Sequence, residues 1–174
     1  MNPNNWFTVW SFILFATLLS LSFGWLVNKE QLSIRATMGF GDRQKKFIQV
    51  WARVAVLIGI IVPLVLLITF WDVPILRQFF GYYLFVVAVQ LGCEVSFSRI
   101  LCQSVVVVIG TLYTGFRIWQ LWSGLQLMAD AQPWLGLLWL VLLFWVANLI
   151  MLFTLAIPSI LPEYELETKD KQYE

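Results

Sequence analysis

The sequence predicts an all-α integral membrane helical bundle of about five transmembrane helices, and three observations carry that prediction. Of its 174 residues, 60% are hydrophobic and only 12% are charged, against about 45–50% and about 25% in a water-soluble domain. The apolar residues gather in runs close to the roughly 20 needed to cross a bilayer. The charges fall between those runs, so the formal net charge of +1 carries little information. A chain of this length has too little interior to hide so much apolar surface, and the excess has to face lipid.

The first run, about 6–28, is long enough to remain as an anchor. Met1-Asn2-Pro3-Asn4-Asn5 before it has none of the positive charge of a secretory signal. The second run, about 50–71, has Pro63 at its middle, which predicts a kink because proline donates no backbone hydrogen bond. From 79 to 122 the chain is almost continuously apolar. As one helix it would be about 65 Å long at the usual rise, about twice the hydrocarbon core, so it is expected to fold back. That gives a third span at about 79–97, a fourth at about 100–122 and a tight hairpin near 96–99. Ser96-Phe97-Ser98-Arg99 supplies the turn chemistry, with Ser98 placed to cap the next helix. A fifth span, about 134–157, ends at Pro158. Residues 1–158 thus form the membrane domain, and the polar tail 159–174 is expected to be disordered.

Lys29, Arg35, Arg43, Lys45 and Lys46 lie in the first loop, whereas the second has Arg77 alone. The positive-inside rule then puts the first loop, the hairpin tip and the C-terminal tail in the cytoplasm or stroma, with the N-terminus outside or lumenal. Trp6, Trp10, Trp71, Trp119, Trp122 and Trp134 are expected at the outer headgroup level, with Trp25 and Trp51 at the inner one. An indole settles there because its ring is apolar and its N–H needs a partner. Trp145 falls mid-span.

Histidine is absent, which removes the commonest metal ligand and the usual general base. No metal site and no cofactor are expected. Cys93 and Cys102 make neither a ligand set nor a redox C-x-x-C; they read as two apolar-facing thiols, or as a pair meeting across the hairpin. There is no paired-carboxylate constellation, no nucleophile with a base and no dinucleotide fingerprint, and Gly39-Phe40-Gly41-Asp42 is too short for a phosphate loop. No basic stripe with interleaved aromatics points to nucleic acid. No internal repeat is evident, which weighs against an inverted-repeat transporter. The chain is expected not to be an enzyme.

What remains is a set of polar residues at membrane depth. Gln90, Glu94 and Ser98 recur every four residues on one helix face, which in lipid turns inward. Glutamate is too short to snorkel, so Glu94 needs a partner or a proton. An ion pair with Arg53 or Arg99 is expected, locking the second span to the hairpin. The face reads as interhelical glue, or as a short polar track for a proton, an ion or a small headgroup. Tyr113, Arg117 and Gln120 form a second cluster. Arg117 is expected about one turn inside the outer boundary, as a snorkelling anchor beside Asp72 or Asp130, or as a site for an anionic lipid or cofactor. Asn148, mid-span in the last helix, is expected to hydrogen-bond across to a neighbour.

The stretch VVAVQLGCEVSFS from Val86, with Tyr113 and Arg117 on the following span, resembles a family of multi-pass membrane proteins of plants and cyanobacteria. Gln90, Glu94 and Ser98 match its Q-x3-E-x3-S pattern, Gly39-Phe40-Gly41 is similar to its turn before the second span, and Ile160-Leu161-Pro162 to the end of its last helix. The resemblance implies no activity. It implies a green-lineage setting, cyanobacterial for a chain without a transit peptide, in a plasma or thylakoid membrane. It also directs attention to Gln90, Glu94, Ser98, Tyr113 and Arg117. The function expected from the sequence is that of a non-enzymatic accessory, assembly or scaffold protein. It would bind other membrane proteins, lipids or pigments through its helix faces. The alternative is a small oligomeric transporter or channel with a Gln90–Glu94 polar face. Expected partners are membrane lipids and other membrane proteins or further copies of the chain, and not nucleic acid.

Overall fold

The computed structural model describes residues 5–129 and 132–162. Among them, five helical segments are long and apolar enough to cross a membrane, and the protein is an integral, multi-pass helical bundle. The first is α1 (Trp6–Asn28). The second joins α2 (Asp42–Val56), a π-helical turn at Leu57–Ile61 and α3 (Val62–Thr69). The third and fourth are α4 (Pro74–Ile100) and α5 (Val105–Leu127). The fifth joins α6 (Trp134–Met151), a π-helical turn at Leu152–Ala156 and α7 (Ile157–Ile160). We call the end of the bundle that holds the 29–41 loop the basic side, and the other end the opposite side.

α1 starts where the Asn5 side chain accepts from the Phe7 amide at 3.4 Å, filling one of the free donors of a helix start. It buries Ala16, Ser20 and Gly24, a small residue every fourth position, which lets a membrane helix approach its neighbours closely. Phe12 of α1 stacks on Phe116 of α5 at 3.9 Å between ring centroids. The helix ends with Gln31 N–H donating to Leu26 O at 3.1 Å and Glu30 N–H to Val27 O at 3.0 Å, the paired bonds of a Schellman ending. Glu30 carries the left-handed φ of 56° that this ending gives its glycine position. A side chain there costs about 1–2 kcal/mol, partly offset by the extra freedom glycine has when unfolded. Glu30→Gly is therefore expected to stabilise the protein by about 0.5–1 kcal/mol, read as a raised melting temperature in neutral detergent.

Both π-helical turns sit just before a proline. Pro63 is the second residue of α3 and Pro158 the second of α7. A proline inside a helix has no N–H to give and its ring crowds the carbonyl four residues earlier. The ladder loosens into a wide turn instead of breaking. Pro63 thereby releases the carbonyl of Gly59.

The chain turns between α4 and α5 at Leu101–Ser104, not at 96–99. Ser98 lies within α4 and donates to Val95 O at 3.2 Å, so it does not cap α5; Ser104 holds the position before that helix. Ser96, Ser98 and Arg99 are instead the polar last turns of α4, where a cation complements the helix dipole. The shift moves α5 about five residues along the chain from the predicted 100–122 and changes the depth of everything on it. Cys93 and Cys102 are free thiols, and the Cys102 sulfur lies 3.3 Å from Ser104 Oγ.

The 29–41 loop ties the basic side together. Its Arg35 and Gly39 amides donate to Ile160 O (2.9 Å) and Ser159 O (3.1 Å), and Ser104 N–H donates to Ala36 O (3.2 Å). The first two satisfy carbonyls that the end of α7 would otherwise leave open. On the opposite side, Phe79, Phe80, Tyr83, Leu121, Met128 and Leu138 make a solid apolar core between α4, α5 and α6. Gly124 lies against the ring of Phe79 with no room for a Cβ, which sets how closely α4 and α5 pack. The tail predicted for 159–174 lies outside the described residues, except for 159–162.

Candidate functional site

Arg117 is 12 residues beyond Val105 and 10 short of Leu127, so it sits at the middle of α5 instead of one turn from its outer end. It is 2% exposed. A snorkelling anchor would lie near the helix end with its head in water, and Arg117 does neither. Its Nε and Nη1 make no hydrogen bond within the described residues. Asp72 is exposed in the loop before α4, and Asp130 lies outside the described residues.

The guanidinium lies over the ring of Trp145, 3.9 Å from its centroid. A cation–π contact in a dry site is worth about 2 kcal/mol, less than the several kcal/mol that burying an unpaired cation costs. The ring is itself fixed. Trp145 Nε1 donates to the Tyr83 hydroxyl at 2.6 Å, and that hydroxyl donates to Gly59 O at 2.9 Å, the carbonyl that Pro63 sets free. A Cβ at Gly59 would collide with the indole. The relay thus runs from a proline-induced π turn to the cation: Gly59, Tyr83, Trp145, Arg117.

Asn148 holds a second relay. Its Oδ1 accepts from Trp51 Nε1 at 2.8 Å, and its Nδ2 donates to Thr114 Oγ1 at 3.2 Å. This joins α2, α6 and α5. Trp51 also stacks on Phe144 at 5.1 Å, so it is part of the bundle wall and not a headgroup anchor. Asn148→Leu leaves two polar groups without partners and is expected to cost about 1–2 kcal/mol, measured as a lowered melting temperature.

Between the two relays lies a cavity of about 270 Å³. Arg117, Trp145, Asn148, Gln90 and Glu94 all line it. The remaining wall is apolar and comes from α2, α4, α5 and the end of the last span. Val56 and Leu91 flank the slit between α2 and α4, and both are about half exposed, so the cavity reaches the surface on the basic half of the bundle. Toward the opposite side it stops at Trp145 and the packed aromatic core.

Glu94 faces the same space. Its carboxylate accepts from Gln90 Nε2, and Arg117 is the cation in its electrostatic field. The expected ion pair with Arg53 or Arg99 is not formed: both arginines are exposed, and among the described residues neither pairs with Glu94. Gln90 Oε1 is buried and unpartnered. Tyr113 does not line the cavity; its ring packs edge-on against Phe12 at 5.1 Å, in the seam with α1. Of the residues singled out in the sequence, Gln90, Glu94, Arg117 and Asn148 come together, and Ser98, Arg99, Arg53 and Tyr113 stay apart from them. Sequence reasoning missed Gly59, Tyr83 and the wall role of Trp51. Only the Gly59–Pro63 spacing of four residues carries a signal, since it marks a carbonyl that needs a new donor.

Compared with protein-family models, with curated proteins and with solved structures, the chain matches none, so the site stands on its own residues.

Proposed function

We propose that this protein is a non-enzymatic membrane carrier that takes a small anion-bearing molecule into the cavity between α2, α4, α5 and the last span. One observation carries the reading: Arg117 is buried at mid-membrane with Nε and Nη1 unpartnered, in a cavity it shares with Glu94. A buried guanidinium is expensive to keep in lipid, and in membrane proteins such a group marks a substrate or ion pathway. Arg117 lines the cavity, and a planar fork of N–H donors matches the oxygens of an anion. A site closed on one half and open on the other is what one state of an alternating carrier has.

On the positive-inside rule, Lys29, Arg35, Arg43, Lys45 and Lys46 support a cytoplasmic or stromal face for the open half. A cyanobacterial plasma or thylakoid membrane is the setting we propose, on the resemblance of the Val86–Ser98 stretch alone. The accessory reading is kept by a different feature, an open groove on the opposite side lined by Trp10, Arg77, Gln78 and Tyr82, where a neighbouring membrane protein or lipid could seat.

Purification in neutral detergent with native mass spectrometry separates the two. A self-contained protein carrying an anionic small molecule, lost in Arg117→Met, supports the carrier. A large hetero-complex with an empty cavity supports the accessory role and overturns the carrier.

A further inference from the structure

We propose that Glu94 takes up a proton as an anion seats on Arg117, so that the cavity binds a monoanionic amphiphile together with one proton. This rests on the carrier reading above and adds the ligand class and its coupling.

The charge inventory of the cavity carries the inference. Among the described residues, Arg117 is its one cationic lining residue and Glu94 its one acidic one. Empty, the pair is neutral when both are ionised. An incoming anion leaves a net buried negative charge unless a group is neutralised, and an unpaired buried charge is resolved by proton binding sooner than it is tolerated. Among the described residues, the other elements around Glu94 offer no alternative acceptor. α2 presents Ile48, Trp51 and Ala52 to the cavity, and the last span presents Trp145, Asn148 and Met151, all uncharged. α1 and α3 contain no charged residue. On α4, Arg99 is exposed, Cys93 packs in the α1 seam and the Tyr83 hydroxyl is engaged by Gly59 and Trp145. On α5, Tyr113 faces that same seam. Glu94 is left as the proton site, with Gln90 able to hydrogen-bond either of its forms.

A single guanidinium also sets the ligand's charge. One arginine balances one negative charge, and a phosphate dianion would find no second cation. The apolar slit between α2 and α4, bounded by Val56 and Leu91, gives a tail a way out to the lipid.

The test is calorimetric titration of the full chain in maltoside micelles with decanesulfonate, in buffers of contrasting ionisation heat. A sulfonate stays ionised, so any proton taken up belongs to the protein. The expected result is uptake of about one proton per ligand, with affinity falling about tenfold per pH unit as Glu94 ionises in the empty protein. In Glu94→Gln, binding persists, the uptake vanishes and the affinity no longer varies with pH; Glu94→Asp restores both. Wild-type binding without proton uptake, or uptake that survives Glu94→Gln, overturns the coupling and leaves the carrier standing. Ethanesulfonate bound as tightly as decanesulfonate overturns the amphiphile. If decanesulfonate binds neither variant nor wild type, or binds Arg117→Met as well as wild type, the carrier falls as well.

Discussion

Arg117→Met is expected to leave the bundle folded and to weaken binding of an anionic ligand at least about thirtyfold. Truncating one partner of a buried charge pair costs about 2–5 kcal/mol, and among the described residues Arg117 has the only guanidinium lining the cavity. The empty protein should not suffer in proportion. Methionine fills much of the same volume beside Trp145, and it removes a cation whose Nε and Nη1 have no partner. The melting temperature should hold or rise while binding disappears, a combination that a structural arginine would not give. Arg117→Lys should fall between. It keeps the charge but loses the planar fork and the stacking on the indole, and about a tenfold loss is expected. Titration and thermal unfolding on the three proteins check the set.

Gly59→Val is expected to be the most damaging single change, at about 3 kcal/mol. The new Cβ would enter the Trp145 ring. The indole has to leave, taking with it the bond to Tyr83 and the surface on which Arg117 rests. Loss of stability and loss of anion binding should therefore go together, unlike in Arg117→Met. Tyr83→Phe is the milder counterpart. It keeps the ring in place but leaves Trp145 Nε1 and Gly59 O without their partner, and about 1–3 kcal/mol is expected. If Gly59→Val melts like the wild type, the relay from the π turn to Arg117 does not hold the site.

The sequence by itself determined the class of the protein and the number of its spans. Those follow from run length and charge exclusion, because a lipid-facing segment has to be apolar over a fixed length. It also showed that Pro63 disturbs the second span and that Gln90 and Glu94 share a helix face, since both depend on local spacing along one helix. The depth of Arg117 was not legible. It depended on the position of one turn, and Ser96–Arg99 has stronger turn chemistry than Leu101–Ser104, where the chain actually reverses. The turn falls there because Ala36 receives the Ser104 amide and Gly24 leaves space for Leu101, contacts made across more than 60 residues of chain. Partner choice was equally hidden. Arg53 and Arg99 are near Glu94 in depth by count, but they face outward, and helix rotation within a bundle is set by packing of all faces at once. Only the tertiary structure brought Arg117, Glu94, Gln90 and Asn148 around one cavity, because each lies on a helix whose neighbour is chosen by shape and not by sequence distance.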